Sequence, residues 1–154
     1  MATFHILHQD DSLVAIKKPP GFHVHQPEFP RRRVSNDVVC LGNLRDQINA
    51  YLFPVHRIDV ATEGVLMFAL NKETANSLCR QFQEGRVEKT YFAVVRGWTE
   101  DEGVIERELA LDSTGDLVHA RTRYRTHARV ELPDAVGKRH ATARYSLVEA
   151  KHET

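Results

Sequence analysis

Six consecutive apolar residues, Val65-Leu66-Met67-Phe68-Ala69-Leu70, constrain this chain more than any other feature. The run is far short of the ~20 residues that a membrane span needs. It has the length and composition of a strand covered on both faces. Asn71 follows as a ready helix N-cap, and Ala75, Leu78, Cys79 and Phe82 recur at helical spacing until Gly85 stops the pattern. A buried strand leading straight into an amphipathic helix demands a layered fold in which helices pack on a sheet.

The rest of the chain fits that frame. Phe4–Leu7 and Leu13–Lys17 read as two short strands around Gln9-Asp10-Asp11-Ser12, and Lys18-Pro19-Pro20-Gly21 then stops regular structure. Phe22–Asn36 reads as a long loop. Leu41, Leu44 and Ile48 predict a helix over Val38–Ala50 with Asp37 as its cap. Glu88–Arg96, Val104–Leu111, Val118–Val130 and Ala141–Glu149 alternate as strands. The expectation is one α+β domain over residues 1–154, with a mixed, largely antiparallel sheet and two helices packed on it. Its 154 residues are 42% hydrophobic, enough for a core of its own. Two cysteines exclude a disulfide framework and a four-cysteine zinc site, and the first residues lack the character of a signal peptide. A soluble, cytoplasmic monomer follows as the expectation.

Charge is balanced in total and segregated along the chain. Lys plus Arg is 21 and Asp plus Glu is 21, but 15 of the bases are Arg, the side chain suited to forked phosphate contacts. Trp98–Asp116 holds seven acids against Arg107 alone, whereas Leu117–Arg144 holds seven bases against Glu131 and Asp134. Arg31, Arg32 and Arg33 form a further basic cluster. Arg121, Arg123 and Arg125 alternate along a strand and so share one face. Both groups are candidate contacts to a polyanion.

The chemistry concentrates in Val55-His56-Arg57-Ile58-Asp59-Val60-Ala61-Thr62-Glu63-Gly64, directly before the apolar run. Charged groups beside a core strand must be paired or put to use. In an extended segment Arg57 and Asp59 fall on one side, where an Arg would keep a nucleophilic carboxylate ionised. A purely structural Arg–Asp pair explains the same pattern.

His56-Arg57-Ile58-Asp59-Val60-Ala61-Thr62-Glu63-Gly64-Val65-Leu66 resembles the HRLDxxTSGhLL signature (h, apolar) of the RluA-type pseudouridine synthases. Leu13–Gly21, with its Lys18-Pro19, is similar to that family's opening strand, and Lys89–Gly97 to its KxYxAxVxG strand. Leu44–Ile48, Val95–Trp98 and Ala141–Glu149 further resemble the branch that modifies uridine 65 of certain tRNAs.

The resemblance implies an α+β pseudouridine synthase fold, with Asp59 as nucleophile and Tyr91 as the aromatic placed against the uracil ring near the C5 proton. It implies that His56, Arg57, Thr62 and Lys89 contact substrate RNA, Arg57 assisting base flipping. It implies no cofactor and no metal. Two departures stand out. Glu63 replaces a serine, and is expected to face solvent. The chain also ends just before the family's Gly-Arg-x-His-Gln-Ile-Arg segment, so the resemblance implies a domain incomplete at its C-terminus.

Other readings remain open from the residues. A catalytically incompetent RNA-binding fragment or a ribosomal RNA synthase would carry the same motifs. His23-x-His25 admits a metal hydrolase but fixes no third ligand. Asp59 with Glu63 admits a glycosidase pair, which leaves Tyr91 and the arginines unexplained.

Overall fold

The computed structural model describes residues 2–27, 33–110, 115–133 and 141–153. The chain forms two compact units, Met1–Glu84 and Gly85–Thr154, each built on its own four-stranded sheet. Among the described residues every pairing between these strands is antiparallel, and both α-helices lie in the first unit. The expected α+β, largely antiparallel architecture is therefore observed, with the strands divided between two sheets.

In the first unit β1 (His5–Gln9), β2 (Leu13–Lys18), β3 (Phe53–Pro54) and β4 (Gly64–Ala69) take the order β1-β2-β4-β3. The β1–β2 turn is held by Asp10, whose Oδ1 accepts from Ser12 N–H at 2.7 Å and Leu13 N–H at 2.9 Å. β4 is an interior strand, as its apolar run requires. Leu66 and Phe68 join a core with Phe4, Val14, Ile16, Val24, Cys40, Leu44 and Leu52. Ala69 and Met67 turn to the opposite face, where Val55, Phe53 and the helix residues Ala75, Leu78, Cys79 and Phe82 cover them. Val65, at the strand's start, is exposed.

The second helix, α2 (Lys72–Gln83), forms as its sequence signals dictate. Asn71 accepts from Thr74 N–H at 2.8 Å, and Gly85 follows the last turn with φ +65°. The first helix starts later than expected, and Asp37 does not cap it. Asn36–Val38 instead forms a single 3-10 turn in which Ser35 Oγ accepts from Asp37 N–H at 3.3 Å, and α1 runs Cys40–Ile48. The reason lies outside the segment. Val39 is held extended by a parallel bridge to His23. The carbonyls of His23 and Val24 then accept the unpaired N–H groups of Cys40 (2.8 Å) and Leu41 (3.0 Å), doing the work of a cap.

In the second unit β5 (Thr90–Arg96), β6 (Glu102–Ala110), β7 (Leu117–Leu132) and β8 (Ala143–His152) take the order β5-β8-β7-β6. Ala143, Ser146 and Val148 on β8 are buried, while Phe92 and Val94 on β5 are 65% and 70% exposed.

Candidate active site

The β2–β4 register sets Lys18 opposite Gly64, so the Lys18–Gly21 turn and the segment ending at Glu63 leave the sheet at the same end. Lys18 is fully buried. Its Nζ donates to the carbonyls of Pro19 (3.0 Å), Phe22 (2.9 Å) and Val60 (3.2 Å). Three acceptors are all that an ammonium can use, which is how a charge survives in this core. Gly21 also donates its N–H to Val60 O at 2.7 Å, and its φ of +87° is one that an L side chain rarely adopts. Burial lowers the Lys18 pKa below its ordinary value, opposed by Cys40 and Asp59. Burial pushes the Cys40 thiol up to about 11, with Lys18 working against it.

Asp59 stands exposed at the head of a tight turn, its carbonyl accepting from Thr62 N–H at 3.0 Å. The segment is not a strand. Among the described residues, Arg57 and Asp59 form no ion pair with each other, so the structure does not contain the pairing that an extended segment would give. The group that the structure ties to this segment is the buried Lys18 ammonium, which donates to Val60 O next to Asp59 and which sequence reasoning missed. A lysine closing an apolar strand just before two prolines was the available signal. Arg57 is exposed and Thr62 half-buried. Glu63 pairs with Lys17 at 2.8 Å and remains half exposed, in line with the solvent-facing expectation. His56 turns inward: Nε2 accepts from Met67 N–H at 2.9 Å, and the ring stacks on Phe82 at 4.6 Å.

In the second unit Tyr91 is half-buried on β5 and meets His152 edge to face at 5.0 Å. Lys89 is exposed just before that strand. Arg121, Arg123 and Arg125 do share one face, and β6 supplies acids across from it. Arg121 Nε lies 2.9 Å from Glu153 and 3.4 Å from Glu106, and Arg123 Nε lies 2.9 Å from Glu153. Arg125 sits opposite Glu102 in the ladder. The acidic and basic stretches of the sequence are thus neighbouring strands of one hairpin. Arg33 is exposed; Arg31 and Arg32 lie outside the described residues. Among the described residues no three His, Cys, Asp or Glu side chains converge as a metal site, which leaves His23-x-His25 without a third ligand. No helix among them is long and apolar enough to cross a membrane.

A family model described as RNA pseudouridylate synthase matches residues 12–154. The chain is 43% identical to tRNA pseudouridine synthase C of Pectobacterium carotovorum, over 97% of this chain and 41% of that protein. It is 42% identical to the protein of the same name from Haemophilus ducreyi and 40% to that from Vibrio parahaemolyticus, covering 63% of each. The chain therefore spans less than two thirds of these relatives. Among solved structures, human RNA pseudouridylate synthase domain containing 1 superposes with a TM-score of 0.75 at 21% identity, over 99% of this chain and 60% of that one. Human RNA pseudouridylate synthase domain containing 4 gives 0.66 at 25%, over 97% and 59%.

Proposed function

The chain belongs to the RNA pseudouridylate synthase family, and on that premise we propose that it isomerises a uridine of tRNA to pseudouridine with Asp59 as the nucleophile. Asp59 bonds to C1′ as the C1′–N1 bond breaks, the uracil turns, and C5 joins C1′ as the Asp59–C1′ bond breaks, so N1 gains a proton, the C5 proton passes to solvent and the carboxylate is regenerated. No atom is added or lost, and no redox partner or metal is called for. The observation that carries the reading is Asp59 itself. It is an exposed carboxylate in the segment that matches the HRLD signature, next to Val60, whose carbonyl is held by the buried Lys18 and by Gly21. A carboxylate free to approach C1′ suits nucleophilic attack.

Tyr91 is the aromatic against the uracil, and Arg57 assists flipping by stacking or phosphate contact. Thr62 and Lys89 contact substrate RNA, and Arg33 and Arg125 are phosphate contacts. Relatives at 40–43% identity carry tRNA in their names, which supports tRNA as substrate and the cytoplasm as location. The test uses tRNA transcript tritiated at uridine C5. The wild-type chain is expected to release tritium to water and Asp59→Asn to fall to background. Release by Asp59→Asn at the wild-type rate would refute the assignment, and RNA binding by the wild type without release would leave a binding fragment in its place.

A further inference from the structure

The stretch from His56 to Val60 is fastened at both ends to the first unit. At one end, His56 Nε2 accepts the N–H of Met67, a β4 residue, at 2.9 Å. A backbone amide can only donate, so Nε2 carries the lone pair and the imidazole proton sits elsewhere. The same ring lies flat against Phe82 of α2, with centroids 4.6 Å apart and planes within 15°. At the other end, Val60 O accepts from Gly21 N–H at 2.7 Å and Lys18 Nζ at 3.2 Å. Three residues lie between these anchors. Ile58 is half-buried, while Arg57 and Asp59 face outward.

We propose that His56 is a positioning residue for Asp59, a role that rests on the reading of Asp59 as nucleophile. So short a span, held by β4 and α2 on one side and the Lys18–Gly21 turn on the other, has little freedom to swing. A displacement of ~1 Å at a reacting group costs on the order of a hundredfold in rate. An RNA-contacting role, which the family signature suggests for this residue, fits poorly with a ring whose acceptor and face are both engaged by the fold.

The experiment compares the full chain with His56→Phe, which keeps a ring against Phe82 and removes the acceptor, and with His56→Gln, which keeps an acceptor at similar reach. Three quantities are read: amide exchange at Met67 and over Ile58–Thr62, tritium release as kcat and KM, and the Kd for tRNA transcript. His56→Phe is expected to exchange at least tenfold faster at both places and to lose tenfold or more in kcat, with KM and Kd within twofold. His56→Gln is expected to recover most of the protection and most of kcat. His56→Asn, one methylene shorter, supplies the missing-acceptor case if His56→Phe does not fold. A raised KM or Kd with unchanged kcat overturns the proposal in favour of an RNA contact. Faster exchange at Met67 with Ile58–Thr62 unchanged overturns it in favour of a local strut. The exchange arm reads the chain without turnover, so its failure is distinct from failure of the isomerase reading, which shows as a wild type that releases no tritium.

Discussion

Replacing Lys18 with Met tests whether a buried ammonium really ties the opening turn to the segment carrying Asp59. Met matches the length and apolar stem of Lys, so the perturbation removes the charge and three donors while leaving the volume nearly filled. Val60 O keeps its bond from Gly21, whereas Pro19 O and Phe22 O lose the donor they share. Each buried acceptor left unpaired costs about 1–3 kcal/mol. Relief of the ammonium's own desolvation, the cause of its lowered pKa, offsets part of that. The expected net loss is about 2–4 kcal/mol. Urea unfolding followed by far-ultraviolet circular dichroism reads it as a lower midpoint with the slope retained.

The pH dependence carries a second signature. Lys18 has a folded pKa below its unfolded value, so between the two the unfolded chain binds more protons and this contribution to stability rises with pH. Cys40, raised from 9.0 to about 11, acts oppositely, its contribution falling as pH climbs through that window. The two groups are coupled, so the difference between wild type and Lys18→Met reports the lysine together with its pull on the Cys40 thiol. A midpoint unchanged to within ~0.5 kcal/mol, the usual scale of a neutral surface substitution, would refute the argument.

Three further outcomes follow from the same geometry. Asp10, lowered to about 2 first by His8 and then by the N–H groups of Ser12 and Leu13, contributes stability that is present above its unfolded pKa of 3.8 and lost as pH falls through about 2; Asp10→Asn should erase that acid slope in urea midpoints taken from pH 2 to 5. Cys40 is fully buried and Cys79 only half, so Ellman's reagent at pH 8 should find one accessible thiol, Cys79, and reach Cys40 only on unfolding; equal rates would contradict the burial. Arg57 is exposed and has no hydrogen bond or ion pair among the described residues, so Arg57→Ala should shift stability by less than ~0.5 kcal/mol while weakening tRNA binding or turnover several-fold; undiminished binding and turnover would remove it from the site.

What could be read from the sequence was what local chemistry decides. Val65–Ala69 of the apolar run lies in an interior strand because Leu66, Phe68 and Ala69 need cover on both faces, and α2 follows from Asn71 and Gly85. Features set by distant partners were not legible. Asp37 has the chemistry of a cap, but the start of α1 is fixed by a bridge to His23, sixteen residues before Val39. The resemblance makes His56 an RNA contact, and nothing local shows that Met67, eleven positions on, offers it a backbone N–H. Lys18 reads as the start of a break in regular structure, and its third acceptor is Val60, forty-two residues away. The basic stretch around Arg121 suggested a free polyanion surface because sequence order does not reveal that the acidic stretch is its hairpin mate.

That hairpin alters what an ionic-strength titration of this chain would measure. Added electrolyte ordinarily reports how many counter-ions a bound nucleic acid displaces. Here Arg121 and Arg123 already neutralise Glu106 and Glu153, so the slope of affinity against salt should count the remaining cations and stay shallower than fifteen arginines would imply. The same electrolyte screens the Arg121–Glu106 pair between β6 and β7 and the pairs of Arg121 and Arg123 with Glu153, so a high-salt wash meant to strip RNA would weaken the protein's own ion pairs along with it.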